Sequence, residues 1–351
     1  MKQKIRDWIR RYPVETFFLL AIAICFVTLF PAVLVIPQND LLGQLLSFYL
    51  ARIGVYSPVF AGMFIVRVIQ PHRQRVPFAR RLLIFLPVWL IAEVIQVASI
   101  RLTAAPGAST VALAILSLPA ALFPAIVISS AYSGTDGVKQ MLATLIRPRG
   151  SIIYYLVALL TFPVIHIVGT GITNVLDGKA WFPPFFQGAD LAYTLFITFF
   201  SVLLFSGGIN EESAWRGFAQ KRLQANVSPL VANLLLCLMM IIWHIPNDIV
   251  QYRHGDYLMV RIVLYPFITI LFGWIYNRTR GSILAPAIFH ASMNAMNPLM
   301  GIFPMTTPGN VLLIGFSVAV IVFDRMWRKL AENHPAVYQD GAVSLSTASS
   351  D

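Results

Sequence analysis

Two adjacent carboxylates, Glu211 and Glu212, end an apolar run from Leu191 to Ile209. Ionisable groups in such surroundings are costly to bury and point to function. On a helix Glu212 and Arg216 are spaced i,i+4 and share a face, with the acid on the favourable N-terminal side. Glu211 is turned about 100° from Glu212 and has no local ionic partner. One carboxylate is then held, and the other is left to work. Two histidines lie in later apolar runs: His244 in LLLCLMMIIWHIPND and His290 in ILAPAIFHASMNAM, with Asn294 one turn beyond His290 on the same face. A carboxylate or an imidazole can take a proton from water. Histidine and asparagine can donate hydrogen bonds to a developing oxyanion. These are the groups of a hydrolase. The same side chains suit a metal: Glu211, His244 and His290 would be three ligands for a divalent ion such as zinc, which lowers the pKa of bound water. Residue types alone leave both chemistries open.

The composition says which elements must bring these groups together. The chain has 351 residues, 58% of them hydrophobic and 12% charged, where a soluble domain carries about 25% charged residues. The predicted fold class is all-α: a polytopic integral membrane helical bundle. Runs of roughly 20 apolar residues predict about ten spans, near 15–36, 41–66, 82–100, 109–130, 151–173, 191–212, 229–248, 257–276, 282–300 and 309–323. Loops rich and poor in Lys and Arg alternate between them, from the basic N-terminus through Arg67–Arg81 and Arg253 to Arg325–Lys329, which predicts both termini cytoplasmic. The net charge of +11 then reflects membrane orientation, and no nucleic-acid motif accompanies it. Cys25 and Cys237 lie within apolar runs as packing residues. The first apolar run is too long for a cleaved signal core and predicts a retained helix. The polar tail beyond Asn333 is predicted to be disordered. Counted from the turn near Asn226, Glu211 and His244 lie at nearly one depth, and His290 lies about 13 Å in from the cytoplasmic side. The pocket they would share lies below the cytoplasmic surface.

Other polar residues interrupt the apolar runs. Arg52 and Glu93 sit at similar depth on consecutive antiparallel spans, which predicts a buried ion pair fixing helix packing. His166 reads as a packing residue. Asp248, i+4 from His244, reads as a solvated cap at the end of its span, with metal ligation as the other option.

At these residues the chain resembles the intramembrane proteases of the CAAX-protease and bacteriocin-processing (CPBP, or Abi) family. The family's ordered pieces EExxxR, FxxxH and HxxxN read here as Glu211-Glu212-Ser-Ala-Trp-Arg216, Met240-Ile-Ile-Trp-His244 and His290-Ala-Ser-Met-Asn294. Trp215 and Met240 stand where the family usually has phenylalanine, and the departure at Met240 is expected to touch packing rather than chemistry. The resemblance spans about residues 191–300. It implies that Glu211 activates water with His244, that His290 and Asn294 form the oxyanion hole, and that Arg216 holds Glu212. It implies a peptide or protein substrate, lipidated in some members, and leaves metal dependence open. The domains that follow are 1–190, five variable N-terminal helices; 191–323, the catalytic helical core with the last helix; and 324–351, a cytoplasmic tail.

The leading expectation is an intramembrane endopeptidase, multi-pass, in the cell membrane if the source is bacterial. The alternatives are a non-catalytic immunity or partner-binding factor on the same scaffold, and an ion-coupled transporter using Glu93 and Glu211.

Overall fold

The computed structural model describes residues 2–37, 40–72, 76–104, 109–181, 190–251, 256–296 and 306–339. The loop arginine Arg253 and the tail from residue 340 lie outside the described residues. Apolar runs become helices because a backbone without water must satisfy its own polar groups. In chain order they are α1 (Lys2–Arg11), α2 (Pro13–Phe30, continued by a π turn, Pro31–Val35), α3 (Leu41–Ile69), α4 (Phe78–Thr103), α5 (Thr110–Ser133), α6 (Asp136–Ile146) and α7 (Ile152–Leu176). There follow α8 (Asp190–Phe205), α9 (Gly208–Ala214, continued by a π segment, Trp215–Gln220), α10 (Lys221–Leu223), α11 (Pro229–Gln251), α12 (Asp256–Arg278), α13 (Leu284–Ala295) and α14 (Thr307–Phe323). No strand occurs among the described residues.

Seven stretches are long and apolar enough to cross a membrane: Pro13–Phe30, Leu41–Ile69, Phe78–Leu102, Thr110–Ser133, Ile152–Leu176, Leu191–Leu223 and Pro229–Ile249. The protein is therefore an all-helical, multi-pass membrane protein. Two predicted spans differ in form. The sixth is not one helix: it breaks at Ser206–Gly207 and restarts as α9. The ninth is the 12-residue α13, about 18 Å long and too short to cross hydrocarbon alone; residues 297–300 lie outside the described set.

Proline and small residues set how closely the helices that carry the site approach. Pro163 in α7 leaves the Leu159 carbonyl without its helical N–H donor. Ser292 Oγ of α13 donates to that carbonyl at 2.5 Å. The proline thus becomes an anchor for the helix bearing His290. The amphipathic α6, absent from the predicted spans, ties down the other end of α13. Thr144 Oγ1 donates to the Gly281 carbonyl at 2.8 Å and accepts from the Ile283 amide at 3.1 Å. A large apolar core joins α2, α3, α7, α9 with its π segment, α11, α12 and α13 through Phe17, Tyr56, Phe162, Trp215, Trp243, Phe272 and Phe289.

The predicted Arg52–Glu93 ion pair does not form. Arg52 donates to the Phe205 carbonyl at 3.2 Å and to Gln96 Oε1 at 3.4 Å. Glu93 instead accepts from Ser117 Oγ at 2.6 Å. Glu93 turns to Ser117 of α5, and Gln96, about 4.5 Å further along α4 and about 60° around it, is the side chain that faces Arg52.

The predicted disorder beyond Asn333 is also corrected as far as Gln339. There the chain lies as a strap on the α9–α10 and α12–α13 ends. Gln224 Nε2 donates to the Ala336 carbonyl at 2.9 Å, the Tyr338 amide donates to the Lys221 carbonyl at 2.9 Å, and Ala336 is fully buried. The Arg222 guanidinium sits between the Phe218 and Tyr338 rings, 4.0 and 4.1 Å from their centroids. Within the strap the Ala336 amide donates to His334 Nδ1 at 3.1 Å, which requires an unprotonated nitrogen. Burial, with Arg280 nearby, pushes the His334 imidazole below its ordinary value. A histidine depressed in the folded state contributes stability above its unfolded pKa of about 6.5 and loses it as pH falls toward the folded value. Amide protection over residues 334–338, taken relative to the intrinsic exchange rate at each pH, is expected to fall as pH drops from about 8 to about 5, and His334→Gln should flatten that dependence. Equal pH profiles for the two proteins would contradict the assignment.

Candidate active site

The break between α8 and α9 is where the site begins. Gly207 has φ of 137°, a left-handed conformation that favours glycine. A Cβ there would also run into the His290 ring at Nε2 and Cδ2. Both constraints exclude a side chain, so Gly207 lets the chain turn and the imidazole approach together. Asn210 locks the turn: its Oδ1 accepts from the Gly207 amide at 2.8 Å and its Nδ2 donates to the Val55 carbonyl of α3 at 3.0 Å. The SGG in Ser206–Gly208 was the available signal for this break and was passed over in favour of one continuous span.

Glu212 is fully buried, and its two oxygens serve two partners. Arg216 Nε donates to Oε2 at 2.9 Å, as the i,i+4 spacing predicts. His290 Nδ1 donates to Oε1 at 2.9 Å. Arg216, also fully buried, spends its remaining donors on Gln220 Oε1 at 3.0 Å and Asn233 Oδ1 at 3.1 Å, and Nη2 lies 3.9 Å from Met240 Sδ. Its guanidinium stands over the Phe272 ring at 5.1 Å. Gly273 makes room for Asn233, whose carboxamide would collide with a Cβ there. A buried charge pair is stable only when its other donors and acceptors are satisfied, and this network does that. Met240 thus does more than fill the place of a phenylalanine, because a thioether is a weak acceptor.

Glu211 is buried beside this pair. Its Oε2 accepts from the Trp215 indole at 3.3 Å. Trp215 thus gives Glu211 a local i,i+4 partner. Oε1 accepts no hydrogen bond among the described residues. The π segment starting at Trp215 is a helical irregularity of the kind found at functional sites.

Glu211, Glu212 and His290 form a cluster whose ligand atoms lie within 4.8 Å of one another. His244 is not in that cluster. The trio Glu211, His244 and His290 is therefore not gathered as such, and Glu212 takes the histidine's place. His244 Nδ1 donates to the Met240 carbonyl at 2.7 Å, which leaves Nε2 with a lone pair. Its ring packs edge-on against Tyr265, 5.6 Å between centroids. Asn294 is half-buried one turn beyond His290. His166 is buried beside Phe162 on α7, as a packing residue would be.

Asp248 is a correction. It is buried rather than a solvated cap: Arg261 Nη2 donates to Oδ1 at 2.8 Å, and Nε lies 2.7 Å from Oδ2. The guanidinium also sits 4.8 Å over the Tyr265 ring that flanks His244. Sequence reasoning missed Arg261, although an arginine inside the apolar run LMVRIVLY carries the same signal that singled out Arg52.

Two carboxylates and an imidazole, buried together and fixed by an arginine, can activate water and steady a charge that develops beside it. Residues 193–296 match the family model of Rce1-like type II CAAX prenyl endopeptidases. The matched segment is similar to the Rce1-like family. The matched segment runs from α8 to the end of α13 and contains Glu211, Glu212, Arg216, His244, His290 and Asn294. At the level of the family the match supports a CAAX-type intramembrane protease. No curated protein compared with the chain matches it.

Two outcomes follow from the packing of the Rce1-like core. Arg216→Met leaves Glu212 buried without its cation and is expected to cost about 3–5 kcal/mol. Adding Glu212→Gln should return much of that loss, measured by thermal unfolding in detergent. Gly207→Ala should displace His290, and a variant retaining full activity and stability would contradict the close packing described.

Proposed function

We propose that the chain is an intramembrane endopeptidase that hydrolyses a peptide bond of a membrane-delivered or C-terminal peptide. Glu211 and His244 activate water, and His290 and Asn294 stabilise the oxyanion. The observation that carries this reading is the division of labour between neighbours. Both oxygens of Glu212 are engaged, whereas among the described residues none engages Glu211 Oε1 beside His290.

In this reading Glu211 takes a proton from water as the oxygen attacks the carbonyl carbon. The carbonyl π electrons move to oxygen, giving a tetrahedral oxyanion. His290 as imidazolium donates Nδ1–H to Glu212 and Nε2–H to that oxyanion, and Asn294 adds a carboxamide donor. His244, with Nδ1 donating to Met240, offers Nε2 to help orient the water. Collapse breaks the C–N bond, the proton held by Glu211 passes to the leaving nitrogen, and a carboxylic acid and an amine result, the acid then passing its proton to the amine. A low-dielectric site strengthens each of these interactions.

A metal would find Glu211 Oε1 and His290 Nε2 as ready donors, one short of the three protein ligands usual at a catalytic zinc. Glu212 is committed to Arg216 and His290, so the arrangement fits a metal poorly and no step is routed through one. Ten crossings with both termini cytoplasmic, and a pocket reached from that side by a peptide, lipidated or not, complete the reading.

The test is cleavage of a quenched peptide library by purified protein in detergent or vesicles, with and without chelator. Glu211→Gln, His244→Ala and His290→Ala are each expected to lower kcat by about 100-fold or more while the protein still folds. Chelator is expected to leave the rate unchanged. Wild-type activity in Glu211→Gln would refute the assignment. Phenotype without any cleavage would favour the binding factor, and gradient-driven uptake the transporter.

A further inference from the structure

Arg52 is a charge in an apolar span with no acidic partner among the described residues. Its surroundings say what neutralises it. Its Nη1 donates to the carbonyl of Phe205, the last residue of α8, and its guanidinium stands 5.3 Å from the Phe205 ring and 5.1 Å from the Phe48 ring. One helical turn along α3, the Tyr56 hydroxyl donates to the Leu204 carbonyl. A helix end exposes carbonyls that its own amides cannot reach, and its C-terminus carries a partial negative charge that attracts a cation. In hydrocarbon water cannot stand in. The counter-charge of Arg52 is therefore the broken end of α8.

That end is two residues before α9, whose first turns bear Glu211 and Glu212. The same face of α3 also accepts Asn210 Nδ2 at the Val55 carbonyl. Arg52, Val55 and Tyr56 thus bind both sides of the break within one helical turn. We infer that Arg52 and Tyr56 are positioning residues: they cap α8 and so fix the height and orientation at which α9 presents Glu211 and Glu212 to His290. This rests on the peptidase reading for its kinetic consequence, and gives helices outside the Rce1-like match a part in the site.

The test combines kinetics with amide exchange. Arg52→Gln is expected to lower kcat by about 10–100-fold with KM within about twofold, because a loosened catalytic group affects the transition state rather than binding. Exchange over residues 205–210 should rise at least about tenfold while α11 is unchanged. Arg52→Lys, which keeps a donor and a charge, should recover most of both. Tyr56→Phe, which removes one hydroxyl and little packing, should act in the same direction. The double variant should fall short of the product of the two effects, since both groups cap one helix end. If Arg52→Gln fails to fold, Tyr56→Phe carries the test. Wild-type kcat in folded Arg52→Gln or Tyr56→Phe, or a rise in exchange that is equal throughout the bundle, would overturn the inference. A wild-type protein that cleaves nothing would refute the peptidase reading alone, and the exchange pattern would still decide the cap.

Discussion

The site depends on how one buried carboxylate is shared. Glu212 places one oxygen on Arg216 and the other on His290, each at 2.9 Å. A charged carboxylate without water would be prohibitive alone. Arg216 makes it tolerable, but only because Gln220, Asn233 and Met240 occupy the other guanidinium donors. Those partners come from the π segment and from α11, so the charge pair fixes how two elements sit against each other. The second oxygen then orients a histidine from α13. A single acid thus ties three stretches far apart in sequence to one point.

Much of this was readable beforehand, and the boundary between what was and was not is physical. Glu212 with Arg216 is a local i,i+4 relation, so helix geometry alone predicts it. His290 near the glutamates follows from counting depth along helices, because turns on one side of the bundle give a common zero. Depth was not enough for Arg52 and Glu93. Their heights agree, but rotation about each helix sends Glu93 to Ser117 and leaves Arg52 facing Gln96 and the end of α8. His244 was similarly given the right region but not a place in the cluster of ligand atoms. The strap was misread for another reason. Its polar composition argued for disorder, yet Ala336, Val337 and Tyr338 find a surface made by distant residues, and no single-chain pattern reveals a surface assembled by folding.

The break before α9 shows why irregular backbone belongs at such a site. A continuous helix through Ser206–Gly208 would satisfy its own amides and carbonyls and would present side chains at fixed intervals of 100°. It would have no reason to approach His290 so closely that a Cβ is excluded, as Gly207 does. Breaking the helix frees polar groups, and each freed group needs a donor or acceptor from elsewhere. Asn210 supplies two bonds across the turn, and Ser292 performs the same service for the carbonyl that Pro163 releases in α7. Helix breaks in an apolar interior are thus places where neighbouring elements must be specified by polar side chains.

The same logic separates the two glutamates. They are adjacent in sequence and equally remote from water, so composition cannot tell them apart. Rotation by one residue can: Glu212 faces α13 and Arg216, while Glu211 faces Trp215 and is left with an oxygen that no described residue engages. An indole N–H is neutral, so it orients Glu211 without adding a counter-charge of its own. A guanidinium in that position would hold the charge in place, as Arg216 does at one oxygen of Glu212. The tryptophan in place of the family's phenylalanine therefore keeps Glu211 oriented yet uncommitted, the state in which a carboxylate can accept a proton.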